Sequence, residues 1–140
     1  MSAATTLPQL PIRPARESDD GFILDTWRES LRAESDIAKA STEAYRLVML
    51  RHIRRLSREP GAVRLVCYDP QDDDTLVGYA VATGHELHYV YVRREFRRMG
   101  IARSLVEQVH PASYSITTPM FERRMHPHER GWVHTPRQVV

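Results

Sequence analysis

Apolar residues recur first at helical spacing and later in short continuous runs. Phe22, Ile23, Leu24, Trp27 and Leu31 share one side of a helix, which predicts a helix over about 21–32. Asp19 and Asp20 supply an N-cap and favourable charge at its start. Tyr45, Val48, Met49, Ile53 and Leu56 predict a second helix over about 43–58 with these side chains inward. Ser41 or Thr42 caps it, and Pro60-Gly61 ends it. Arg51, Arg54, Arg55 and Arg58 fall on its far side, read as a solvated face, with a partner-binding face as the alternative. The runs at 63–68, 76–83 and 87–92 predict three strands, the first two joined by the polar turn at 69–74. Ile12-Arg13-Pro14-Ala15 predicts a short strand whose proline suits a sheet edge. A basic turn at 93–98 leads into a helix over about 100–110, stopped by Pro111. Short strands follow at 114–117 and 132–134. The order β-α-α-β-β-β-α-β with a tail predicts a mixed α/β (α+β) fold, one sheet flanked by helices rather than a doubly wound one.

Length and composition fit this picture. A chain of 140 residues suits one domain, here 10–140 behind a disordered lead at Met1–Gln9. No apolar run approaches the roughly 18–20 residues of a membrane span. The lead has neither the basic nor the apolar region of a secretory signal, so a cytoplasmic location is expected. Cys67, the single cysteine, lies in an apolar run and reads as a small buried hydrophobe. A net charge of +2 is too mild to argue for nucleic acid. The arginines at 93, 94, 97, 98 and 103 interleave with Phe96 alone, too few aromatics for a nucleic-acid surface. Asp72-Asp73-Asp74 lacks the glycine and terminal glutamate of a calcium loop, so it reads as a hairpin turn. His126, His128 and His134 match no zinc spacing; an exposed polar tail and no metal site are expected.

Chemistry concentrates between Leu87 and Val106. An apolar strand, a basic turn and a helix opening with Gly100 and Ala102 follow one another. Small residues there let a ligand's phosphates approach the backbone, and the exposed amides of the helix start bind anions. Arg97, Arg98 and Arg103 add charge, so a diphosphate-bearing ligand suits the site; an ordinary solvated strand–turn–helix is the alternative. Upstream, strand alternation places Glu86, His88, Val90 and Val92 on one face. Glu86 and His88 are thereby candidate general bases, or else polar residues at the wet end of a hairpin after Gly84.

Arg97-x-x-Gly100-x-Ala102 after an apolar strand resembles the (Arg/Gln)-x-x-Gly-x-(Gly/Ala) acetyl-CoA signature of the GNAT acetyltransferase superfamily. Ile12–Ala15 followed by Glu17-Ser18-Asp19 resembles that family's opening, and Leu76-Val77-Gly78-Tyr79 its third strand. The likeness spans about 10–116. It implies a GNAT-like central mixed sheet with a shortened C-terminal part, and acetyl-CoA as co-substrate. By position, the pyrophosphate would lie on the amides of Arg98, Met99, Gly100, Ile101 and Ala102, beside Arg97 and Arg103. The pantetheine would pair with Tyr91 and Val92 in a slot between 89–92 and 113–117. Glu86 stands where some members carry a general base, with His88 as the competing base, and the Val92 amide would serve the oxyanion. The thiolate's usual acid is a tyrosine on the helix after the fifth strand; 119–124 holds none and Tyr114 precedes it, so the acid is unassigned. The resemblance implies N-acetyl transfer to a small-molecule or protein amine by direct attack. A non-catalytic binding or structural protein is the alternative. Thr117-Thr118-Pro119 and Trp132-x-x-x-Pro136 are similar to short GNAT-like proteins of tailed phages, which brings in virion proteins or a second copy as partners.

Overall fold

Polar turns fold the three long apolar runs into an antiparallel meander, and the remaining strands add to its two edges. The computed structural model describes residues 10–34, 42–115 and 119–136. Met1–Gln9, Ser41, Thr117 and Thr118, and the side chains of Leu31, Tyr45 and Met49, lie outside the described residues. The strands are β1 (Ile12–Pro14), β2 (Ala62–Asp69), β3 (Asp72–Thr83), β4 (Glu86–Val92), β5 (Ser113–Tyr114) and β6 (Val133–His134), ordered in the sheet as in the chain. Neighbours from β1 to β4 run antiparallel; β4–β5 and β5–β6 are parallel. The predicted mixed sheet is present, and β1, with its proline, forms one edge. The hairpin turn is tighter than expected, because β3 begins at Asp72 and leaves only Pro70-Gln71 between the strands.

Helices α1 (Asp20–Glu34) and α2 (Thr42–Arg58) cover one face of the sheet. Ile23 and Trp27 of α1 and Ile53 and Leu56 of α2 pack there against Val66, Leu76, Tyr79 and Val81. Val48 is exposed rather than inward; among the described side chains of α2 the buried ones are His52, Ile53 and Leu56. A 3-10 turn at Glu17–Asp19 starts α1. Asp19 joins it to β1, taking Arg13 Nη1 at 2.8 Å and the Arg16 amide at 2.8 Å. Burial alone would raise this carboxyl; the Arg13 hydrogen bond and the Arg16 amide outweigh it, and its pKa lies below the ordinary value.

Helix α3 (Ile101–Val109) covers the opposite face. Ile101, Leu105, Val106 and Val109 pack on Val77, Ala80, Ala82, Leu87 and Val92. Met125 of α4 (Pro119–Met125) and Trp132 complete this core. Among the described residues no helix is long and apolar enough to cross a membrane.

β3 and β4 approach closely at Gly78. A Cβ there would lie 2.6 Å from Tyr91 O and 3.3 Å from Val92 Cα. Gly78→Ala should therefore cost about 1–3 kcal/mol of unfolding free energy, read from the urea midpoint; an unchanged midpoint would contradict this packing. Cys67 is buried, and burial pushes its thiol up to about 11. At pH 8 a disulfide reagent should label it only as fast as the chain unfolds. Rapid labelling of the native protein would overturn that reading.

Candidate functional site

Among the described residues, β4 and β5 pair over two positions. Glu86 pairs with Ser113 and Leu87 with Tyr114, and the Ser115 amide donates to Leu87 O at 3.0 Å. β4 continues to Val92 without further β5 pairing among the described residues. On its other side the Arg93 amide donates to Val77 O at 2.8 Å. Backbone direction alternates along an antiparallel ladder, so Tyr89 and Tyr91 point their amides at β3. The amides of Val90 and Val92 therefore face the opened side. Val92 O accepts from Arg97 Nε at 3.0 Å.

A β-bulge sits at the fork. Val81 pairs with Tyr89 but Ala82 with Leu87, which leaves His88 as the extra residue. The expected single face for Glu86, His88, Val90 and Val92 is accordingly broken. Leu87, Val90 and Val92 join the α3 core, whereas Tyr89 and Tyr91 pack towards α1. His88 is buried, not at a wet hairpin end: Nε2 is 2.7 Å from Thr83 Oγ1 and Nδ1 is 2.6 Å from Ser115 Oγ. Glu86 Oε2 lies 3.9 Å from His88 Nε2, and Glu86 Oε1 accepts the Thr135 hydroxyl.

Beyond Val92 the chain makes a 3-10 turn at Arg94–Phe96 and then two left-handed residues, Arg98 (φ 66°) and Gly100 (φ 81°). That conformation costs a residue with a Cβ about 1–2 kcal/mol, so glycine suits the tighter position. Gly100 is the N-cap of α3, and the first helical bond runs from the Ser104 amide to Gly100 O at 3.0 Å. The amides of Ile101, Ala102 and Arg103 precede it and lack helical acceptors.

Strand, turn and helix start wall a cleft of about 830 Å³. Tyr91, Val92, Arg97, Arg98, Gly100, Ile101, Ala102 and Arg103 line it; Met99, Glu86 and His88 are not on its lining. Sequence reading missed Ser30 on α1, Phe121, Arg124 and Met125 on α4, and Arg130. The signal for the last group was an excess of arginine in a tail read as solvated. Arg97, Arg98, Arg103, Arg124 and Arg130 have no carboxylate partner among the described residues; Arg13, Arg16, Arg28 and Arg64 have one, while Arg51, Arg54 and Arg58 on the outer face of α2 do not. An unpaired cationic lining with free helix-start amides binds a polyanion.

The other polar candidates serve the fold. Tyr114, raised by burial and then by Glu122, stays a phenol and donates to Glu122 Oε1 at 3.4 Å. His134 stacks on Tyr114 at 4.9 Å, and Asp73 in the turn accepts Arg13 at its carbonyl and Arg16 at its carboxylate.

The sequence profile of the acetyltransferase (GNAT) family matches residues 24–110. The chain belongs to that family. Its chemistry is acetyl-CoA-dependent acetyl transfer, with acetyl-CoA as co-substrate. A putative acetyl transferase from Pyrococcus furiosus is similar with a TM-score of 0.66 and 15% identity, over 94% of this chain and 97% of that one. Apo-form YjaB from Escherichia coli has a TM-score of 0.52 and 23% identity, over 73% of this chain and 65% of its own. The aminoglycoside N-acetyltransferase AAC(6')-Iy in complex with CoA has a TM-score of 0.51 and 16% identity, over 94% of this chain and 92% of that one. No curated protein matches the chain.

Gly100→Ala should introduce backbone strain alone, since no atom lies within 4 Å of the added Cβ. Gly100→Glu adds negative charge at the helix start. Calorimetry should give CoA affinity at least tenfold lower (~1.4 kcal/mol) for the glutamate than for the alanine variant. Equal affinities would remove the anion from this turn.

Proposed function

We propose that this chain moves the acetyl group of acetyl-CoA to an amine by direct attack. The observation that carries this reading is one cationic cleft that runs from β4 at 89–92 to the helix-start amides of α3. The diphosphate lies on the turn from Arg98 to Arg103, with Met99 at its rim. The pantetheine follows β4 inward and bonds the backbone at Val90 and Val92, beside Tyr91. The Val92 amide donates to the oxyanion that forms at the thioester carbonyl. The amine gives up a proton and its lone pair attacks the carbonyl carbon; the C–S bond breaks, and the CoA thiolate takes a proton. The fold likeness to the CoA-bound aminoglycoside acetyltransferase supports this placement of the ligand. Such a protein acts in the cytoplasm, on a small-molecule or protein amine.

Glu86 and His88 are the proposed proton acceptors. Both stand at the fork, where the thioester end of an inward-running pantetheine arrives. They lie behind the cleft wall, so the amine's proton reaches them through water or through Ser115, whose hydroxyl His88 holds. Glu86→Gln should lower the rate by about 10²–10⁴ near neutral pH and leave CoA affinity unchanged. Part of the loss should return at higher pH, where more amine is already deprotonated. A large loss in His88→Gln with an unaltered pH–rate profile in Glu86→Gln would assign the base to His88 instead.

A second reading, a GNAT-fold protein that binds CoA without turnover, is favoured by one observation. α4 carries no tyrosine, and Tyr114 gives its hydroxyl to Glu122. CoA binding without acetylation of a broad amine panel would decide for it; virion proteins or a second copy would then be the partners to seek.

A further inference from the structure

The cleft holds more positive charge than its Gly100 turn uses. Arg98 and Arg103 flank the helix start, and Arg97 is committed to Val92 O at 3.0 Å. Arg124 and Arg130 come from the other wall, on α4 and the turn after it. Neither has a carboxylate partner among the described residues: the nearby Glu122 faces Tyr114 and His128, and Glu129 faces His126. Arg130 is also held in place. Its guanidinium lies over the Trp132 ring at 5.3 Å, and Trp132 is 8% exposed. The turn beneath is fixed by Arg130 N donating to His126 O (3.2 Å) and Trp132 N donating to Pro127 O (2.9 Å). A guanidinium stacked on an indole keeps its in-plane N–H fork free for a second partner.

Two guanidiniums without carboxylate partners on one side of a cleft favour a multiply charged anion there. We infer that Arg124 and Arg130 form a second anion subsite in the cleft, which takes the ribose 3′-phosphate of CoA and makes the protein select CoA over 3′-dephospho-CoA. The inference rests on the CoA reading above. A phosphate monoester carries roughly −1.5 to −2 charge at neutral pH, and its oxygens match the arginine fork. The diphosphate is already served by three backbone amides across the cleft. The monoester is the remaining polyanionic group of the ligand.

Calorimetric titration of the full chain with CoA and with 3′-dephospho-CoA tests this. Wild type should bind CoA at least tenfold tighter than 3′-dephospho-CoA. The double variant R124Q/R130Q should bring CoA down to the dephospho level and leave 3′-dephospho-CoA affinity as it was. Adenosine 3′,5′-bisphosphate should displace CoA from wild type at least tenfold better than AMP does, a comparison that needs no variant. Equal wild-type affinities for the two cofactor forms would overturn the inference while leaving CoA binding intact, as would a double variant that weakens both alike. Failure of wild type to bind either form would overturn the CoA reading itself.

Discussion

The molecule is organised around the stretch of β4 at 89–92, whose backbone groups on the side away from β3 border the cleft rather than a ladder partner among the described residues. Val90 and Val92 direct their amides into that space, where buried polar backbone requires a partner. Close approach at Gly78 holds β4 to β3 along the stretch that borders the cleft. The bulge at His88 turns the side chains over at the same point, giving Tyr89 and Tyr91 to one layer and Val90 and Val92 to the other. The cleft is the space that results.

Charge follows the same geometry. Near β1 and α1 the arginines are neutralised locally: Arg13 by Asp19, Arg16 by Asp73 and Arg64 by Asp20. Around the cleft they are left unpaired. Mutual repulsion there works against the folded state and is relieved by an anion, so ligand binding and stability are linked. The two walls contribute differently. The Gly100 turn supplies backbone dipoles, and the α4 wall supplies side-chain charge, with Arg130 stacked on Trp132.

Much of this was legible in the sequence because it depends on local signals. Apolar runs broken by polar turns gave the meander, and Pro14 marked the edge strand. The small residues at Gly100 and Ala102 after a strand located the helix start to within one residue. The bulge was not legible, since a period-two pattern through Glu86, His88, Val90 and Val92 reads the same with or without an extra residue. Val48 fits the helical stripe of α2 but is exposed, a tertiary fact that spacing does not carry. Arg124 and Arg130 were hidden for a similar reason. They reach the cleft only because the chain after β5 folds back to pair β6 beside it.

The aromatic packing behind the cleft has an optical consequence. Trp27 lies flat on Tyr89, with ring centroids 5.0 Å apart and planes 5° apart, and Tyr89 faces the cleft. The other indole, Trp132, lies under Arg130 on the opposite side. Both of the chain's fluorophores of this type are thus one side chain removed from whatever occupies the space between them. Their emission is sensitive to the polarity and charge next to the ring, so the molecule carries its own intrinsic reporters of occupancy, one for each wall.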